Sequence, residues 1–170
     1  MIELLILHLL NKFQLTMYGL QKKISEDFSI YTTPGIGTIK PALVRLESKS
    51  FIISKKTISE GGRVAIFYGI TPNGMEELKR LIVARTSNNP VKFLNTARIK
   101  LICSSLLSTD DQIKLMEQLL TKSELIYSKT KKSLENKEND FYYKMVTDNI
   151  LQDYKNFISM LEGMKNGCTG

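Results

Sequence analysis

At 170 residues and 19.4 kDa the chain is long enough for one ordinary domain, or two small ones sharing a core, without metal or disulfide staples. Lys and Arg number 24 against 17 Asp and Glu, a formal charge of +7, on a composition 42% hydrophobic and 24% charged. That balance excludes a disordered or collagen-like chain, and the basic excess favours a polyanionic partner such as nucleic acid or an anionic membrane surface.

The first element, Ile2 to Leu10, is apolar all round and predicts a buried helix. Nine residues interrupted by Glu3 and His8, with no basic leader and no small-residue cleavage site, match neither a signal peptide nor a membrane span. A cytoplasmic location with reduced thiols at Cys103 and Cys168 is therefore expected. A second helix follows, with Leu20, Ile24 and Phe28 at i, i+4, i+8 and Lys22, Lys23 and Glu26 outward. Thr33-Pro34-Gly35 forces a turn, and a third helix is expected from about Thr38, with Ile39, Ala42, Leu43 and Leu46 on its inner arc. Its opposite arc presents Lys40, Pro41, Val44, Arg45 and Ser48; Pro41 is tolerable there because a first-turn N–H has no partner within the helix.

Phe51 to Ile58 and Val64 to Ile70 are rich in β-branched and aromatic residues, and Ser59-Glu60-Gly61-Gly62 between them is turn chemistry, which predicts a hairpin. Thr71-Pro72 is an N-cap followed by proline at the first helical position of a fourth helix, whose expected apolar stripe is Met75, Leu78 and Ile82. The order of three helices, hairpin and helix is the winged helix-turn-helix plan for DNA binding. Charge agrees with it. Residues 1–88 hold 12 basic and 7 acidic side chains, and Thr38 to Arg63 carries Lys40, Arg45, Lys49, Lys55, Lys56 and Arg63 against only Glu47 and Glu60.

In the second half, Pro90 starts an element with Phe93, Ala97 and Leu101 on one face, and Thr109-Asp110-Asp111-Gln112 reads as a capping box opening a long helix. Ile113, Met116, Leu120, Tyr127 and Leu134 fall on one stripe, broken by Ser123 and Thr130. Val146, Ile150, Phe157, Leu161 and Met164 form another, on a helix joined to the first near Glu135 to Asp140. Two such faces suggest pairing with a second copy of the chain, the alternative being a helical hairpin closed within one chain. The fold class expected is thus mainly α with a small β-hairpin. Residues 1–88 form a winged helix-turn-helix DNA-binding domain and 89–170 a C-terminal helical dimerisation domain.

Catalysis and metal chemistry find little footing. One histidine, His8, sits among leucines, so no triad is visible, and the cysteines make neither a CxxC nor a Cys/His cluster; no metal and no cofactor is expected. The Asp110-Asp111 and Glu76-Glu77 pairs lie at helix starts, where they complement the dipole. His8 reads as a core histidine and the methionines as core filler. Gly61-Gly62 is explained by a hairpin turn, and Lys129, Lys131 and Lys132, flanked by Glu124 and Glu135, by a solvated helix face. The rival to DNA binding is a winged helix used as a protein-interaction module, for which the third helix should show an apolar or acidic surface. Here it shows Lys40 and Arg45.

Three ordered motifs, Met17-Tyr18-Gly19-Leu20, Gly37-Thr38-Ile39-Lys40-Pro41-Ala42-Leu43-Val44-Arg45-Leu46-Glu47, and Gly61-Gly62-Arg63 through Phe67-Tyr68-Gly69-Ile70-Thr71-Pro72-Asn73-Gly74, resemble the PadR family of bacterial transcriptional regulators over about residues 1–85. The family pattern has tyrosine where Lys40 stands and basic residues where Ala65 and Ile66 stand, so this wing is less cationic than usual. The resemblance implies a winged-helix repressor that dimerises through C-terminal helices and leaves its double-stranded operator when a small-molecule effector binds. One branch holds ligands between tryptophans, a mode that a chain without tryptophan lacks. In a DNA-binding reading, Thr38, Lys40, Pro41, Val44 and Arg45 face bases or nearby phosphates, while Tyr18, Lys22, Lys55, Lys56 and Arg63 touch the backbone. Arg45, whose planar fork matches guanine O6/N7, is the foremost base reader.

Overall fold

The computed structural model describes residues 1–58, 64–135 and 141–168. In chain order they form α1 (Ile2–Leu10), β1 (Leu15–Thr16), α2 (Met17–Phe28), α3 (Ile36–Ser48), β2 (Ile52–Ile58), β3 (Val64–Ile70), α4 (Pro72–Val83), α5 (Pro90–Cys103), α6 (Thr109–Glu135) and α7 (Phe141–Cys168). The fold class is the expected one, mainly helical with a small antiparallel sheet. Its strand order is β1-β3-β2, with Leu15 opposite Tyr68 and Ile52 opposite Ile70. The two-residue β1 went unread in the sequence, being too short to show an alternation.

Two compact units result, Met1–Leu106 and Leu107–Gly170. In the first, Leu4 to Leu10 of α1 are buried side by side, as a helix apolar on every face must be, with α2, α3 and α4 packed around them. Leu20, Ile24 and Phe28 of α2 and Ile39, Ala42, Leu43 and Leu46 of α3 complete this core. α5 joins the same unit. Its Lys100 is buried and donates from Nζ to the carbonyls of Ile82 (2.8 Å) and Ala84, so a cation closes the C-terminal end of α4. Burial pulls that ammonium down to about 8. This packing division is distinct from the functional one expected at 88/89, which concerns roles.

The corner between α3 and the wing is built in detail. Ser50 takes the left-handed conformation (φ 57°), letting its N–H reach Glu47 O (2.9 Å) and the N–H of Phe51 reach Leu46 O (2.9 Å), the paired closure of a Schellman motif. Thr71 then ties the far end of the hairpin to this corner. Its N–H donates to Phe51 O (3.0 Å), and its hydroxyl donates to Ser50 O (2.7 Å) while accepting from Gly74 N (3.0 Å) as the N-cap of α4. A Cβ on Gly74 would stand 2.0 Å from Phe51 O, so only glycine lets α4 approach so closely. The expected stripe of α4 is corrected accordingly: Gly74, Leu78 and Ile82 are buried, and Met75 is exposed.

In the second unit α6 and α7 pack on each other. The cap of α6 is Ser108, one residue ahead of the expected box: its hydroxyl accepts from Asp111 N (3.2 Å) and donates to the Asp111 carboxylate (3.0 Å). Ser123 does not break the inner face; it is wholly buried, with its hydroxyl donating to Leu119 O (2.7 Å), and its small size admits the facing helix. Leu115, Met116, Leu119, Ser123 and Ile126 of α6 and Thr147, Leu151, Tyr154, Phe157 and Leu161 of α7 are the buried positions. Of the expected stripe of α7, Phe157 and Leu161 are buried but Val146, Ile150 and Met164 lie on the exposed side; Thr147 and Tyr154, buried despite their hydroxyls, and Leu151 complete the inner face instead. Lys165 Nζ on Glu117 Oε1 (2.6 Å) and Ser133 Oγ on Tyr143 OH (2.8 Å) close the two ends of the antiparallel pair. Both cysteines are free thiols: Cys103 is buried, which pushes its thiol up to about 12, and Cys168 is half-buried in the last turn of α7.

His8 is buried against the edge of Phe28 (centroids 6.2 Å apart), and its Nδ1 has no hydrogen-bond partner. Desolvation holds its pKa below the usual 6.5, with Lys12 adding to the fall and Asp27 opposing it. The folded state therefore resists protonation where the unfolded chain accepts it. Stability is full above pH 6.5, and it falls as the pH drops through the lowered folded value. Thermal unfolding followed from pH 7.5 to 5 should show this decline in the wild type and a flatter profile in His8→Leu. At the corner, Gly74→Ala should cost at least about 2 kcal/mol in denaturant unfolding, whereas Gly37→Ala, with open space around its Cβ, should cost under about 0.5 kcal/mol.

Candidate nucleic-acid interface

α3 begins at Ile36, capped by Gly35, and the burial of Ile39, Ala42, Leu43 and Leu46 turns the opposite face to solvent. Gly37, Pro41, Val44 and Ser48 follow one another along the middle of that face at helical spacing, and all four are exposed. Lys40 flanks this neutral ridge on one side, and Thr38 and Arg45 on the other. A face of this kind suits the major groove: small and apolar groups can approach thymine methyls and base edges while the flanking cations meet phosphate.

The flanks differ in their partners. Lys40 has no ion-pair partner among the described residues, whereas Arg45 Nε donates to Glu3 Oε1 of α1 at 2.8 Å. Arg45 stands in the last turn of α3, and helix-turn-helix proteins place base-contacting residues in the first turns of the recognition helix. Foremost base reader is thus a role in which the N-terminal Thr38, Lys40 and Pro41 compete with it on position. The Glu3 contact was invisible in sequence, where its two residues lie 42 positions apart.

On the wing, Lys55 lies opposite Phe67 and Lys56 opposite Ile66, so the two lysines project from opposite faces of the hairpin. Both are exposed, and neither has an acidic partner among the described residues. Arg63 and the Gly61-Gly62 turn lie outside the described residues. Ile58, Val64 and Ile66 are exposed and share one face of the outer wing with Lys56. Glu47 at the foot of α3 accepts from Ser54 Oγ (2.5 Å), fastening the wing to the helix it flanks.

Tyr18 opens α2 with its ring largely in solvent, just after Thr16, whose hydroxyl caps the helix by accepting from Gly19 N (3.1 Å). Lys22 is one turn further on, in a loose 3.9 Å pair with Glu26. The sequence-expected residues therefore fall on three elements, α2, α3 and the wing, and every one that is described is exposed.

The sequence model of the transcriptional regulator PadR-like family matches residues 6–80, which run from the middle of α1 through most of α4. A PadR family transcription regulator from Clostridium difficile R20291 is 31% identical over 46% of this chain and 80% of its own length (TM-score 0.42). Residues 6–80 of the chain thus carry a PadR-like transcriptional regulator domain.

Similar too are a transcriptional regulator from Thermoplasma acidophilum (31% identity, 45% of this chain and 72% of that one, TM-score 0.41) and Bacillus subtilis PadR, solved in complex with operator DNA (24% identity, 98% of each chain, TM-score 0.46). No curated protein sequence matches significantly. The matched family is one of transcriptional regulators. No helix among the described residues is long and apolar enough to cross a membrane.

Because the recognition face is solvent-borne, stability and function should separate there. Lys40→Ala and Tyr18→Ala should each change unfolding free energy by less than about 0.5 kcal/mol, and Arg45→Ala, which breaks a surface ion pair, by no more than about 1 kcal/mol. Urea titrations monitored by circular dichroism measure all three.

Proposed function

We propose that this PadR-like chain is a cytoplasmic homodimeric repressor that lays α3 in the major groove of a double-stranded operator and releases it in response to a small-molecule effector. The observation that carries the reading is the solvent face of α3, a neutral ridge between cations on a winged helix that holds the larger part of the chain's net positive charge. Thr38, Lys40, Pro41, Val44 and Arg45 meet bases or adjoining phosphates. Tyr18, Lys22, Lys55, Lys56 and Arg63 meet the backbone. Residues 1–88 carry recognition and 89–170 carry pairing.

Pairing is supported by what the α6–α7 hairpin leaves uncovered. Tyr142, Val146, Ile150, Met160 and Met164 of α7 remain exposed after the helices have packed on each other, and a second copy would bury them. Two-fold symmetry then places the recognition helices about 34 Å apart and calls for a pseudo-palindromic site.

Duplex affinity should fall steeply with salt, with a log–log slope of roughly −7 if each subunit neutralises about four phosphates, and Lys56→Ala should flatten that slope by about one unit. Absence of duplex binding even at low ionic strength would move the assignment to a protein-interaction module. Deleting residues 109–170 should give a monomeric or aggregating winged helix with weak operator affinity; a tight-binding dimer after truncation would contradict the pairing role. A ligand screen by thermal shift and operator release tests the effector.

A further inference from the structure

The Glu3–Arg45 ion pair has no part in the burial of the core, since both side chains lie at the surface, Arg45 about half and Glu3 about a quarter exposed. It nevertheless holds the one guanidinium on the recognition helix by a single edge. A guanidinium has five N–H donors in a rigid plane; fixing Nε on a carboxylate locks the plane and leaves the outer edge, formed by the two terminal nitrogens, to meet a partner two donors at a time. From the last turn of α3 an unrestrained arginine would lose much rotamer freedom on docking, and one already held loses less. Glu3 is well placed for the task, because it directly precedes the buried run Leu4–Leu10 that anchors α1 in the core.

We infer that Glu3 is a positioning residue for DNA recognition: through Arg45 Nε it fixes the guanidinium so that its outer edge is presented for a bidentate contact with the duplex. This rests on the DNA-binding reading above. The opposite role is masking, in which the carboxylate cancels a cation that would otherwise attract phosphate, and the two roles move affinity in opposite directions.

The test uses the full chain, Glu3→Gln, Arg45→Ala, the double variant and Arg45→Lys, which keeps the charge but not the planar fork. The probes are a duplex of about 30 base pairs enriched by the wild type from a random-sequence pool and an unselected duplex of equal length. Glu3→Gln should weaken the selected duplex about five- to tenfold while leaving the unselected one unchanged or slightly tighter, since one negative charge is gone. Arg45→Lys should lose the same discrimination, and Glu3→Gln should add nothing once Arg45 is alanine. Equal losses with and without Arg45, an unchanged preference for the selected duplex, or tighter binding to both duplexes would overturn the inference. A wild type that enriches no sequence overturns the DNA reading and this inference with it; a wild type that selects, beside a Glu3→Gln that selects equally well, overturns this inference alone. Thermal melts of each variant confirm that only folded protein is compared.

Discussion

Everything about the recognition surface depends on one carbonyl, that of Phe51. It accepts the N–H of Thr71 and lies so near Gly74 that no side chain fits between, and by those contacts the end of α3, the root of β2 and the start of α4 become one rigid joint. A wing is useful only if its angle to the recognition helix is fixed, because two elements must enter neighbouring grooves together. Helix propensity and sheet pairing cannot set that angle. The left-handed Ser50, the Thr71 cap and the missing Cβ of Gly74 set it, with the bond from Ser54 to Glu47 as a second strut.

Much of this was legible in the residues. Three helices, hairpin and helix followed from the spacing of apolar positions, and Thr71-Pro72 marked the start of α4 to the residue because cap and proline are short-range signals. The exposed arc of α3 was equally plain. Other features escaped because they depend on partners distant in sequence. Arg45 stood among the solvent-facing cations of α3 until α1 brought Glu3 to it, and nothing near Gly74 in sequence points to Phe51 O, 23 residues away. The phase of the long helices was misread for a different reason: Ser123, Thr147 and Tyr154 are polar by composition, yet a hydroxyl can be buried when it finds an acceptor, as that of Ser123 does on Leu119 O, and hydropathy alone then selects the neighbouring stripe.

In the proposed DNA-binding reading, attraction and base reading fall to different groups. Lys40 on α3 and Lys55 and Lys56 on opposite faces of the wing carry exposed positive charge, whereas the ridge of Gly37, Pro41, Val44 and Ser48 carries none. Charge draws any duplex inward with little regard to sequence, and neutral groups discriminate only at contact.

The two thiols follow from the same architecture. Cys103 ends α5 inside the first unit with its ionisation suppressed by burial, and Cys168 ends α7 at the edge of the second, beside Gln112. Since only a thiolate is an effective nucleophile, the chain offers a single addressable sulfur under gentle alkylation. A fluorophore or spin label attached by maleimide chemistry thus goes to the C-terminal hairpin without any engineered cysteine, and the natural sequence comes supplied with its own reporter on the half of the molecule assigned to pairing.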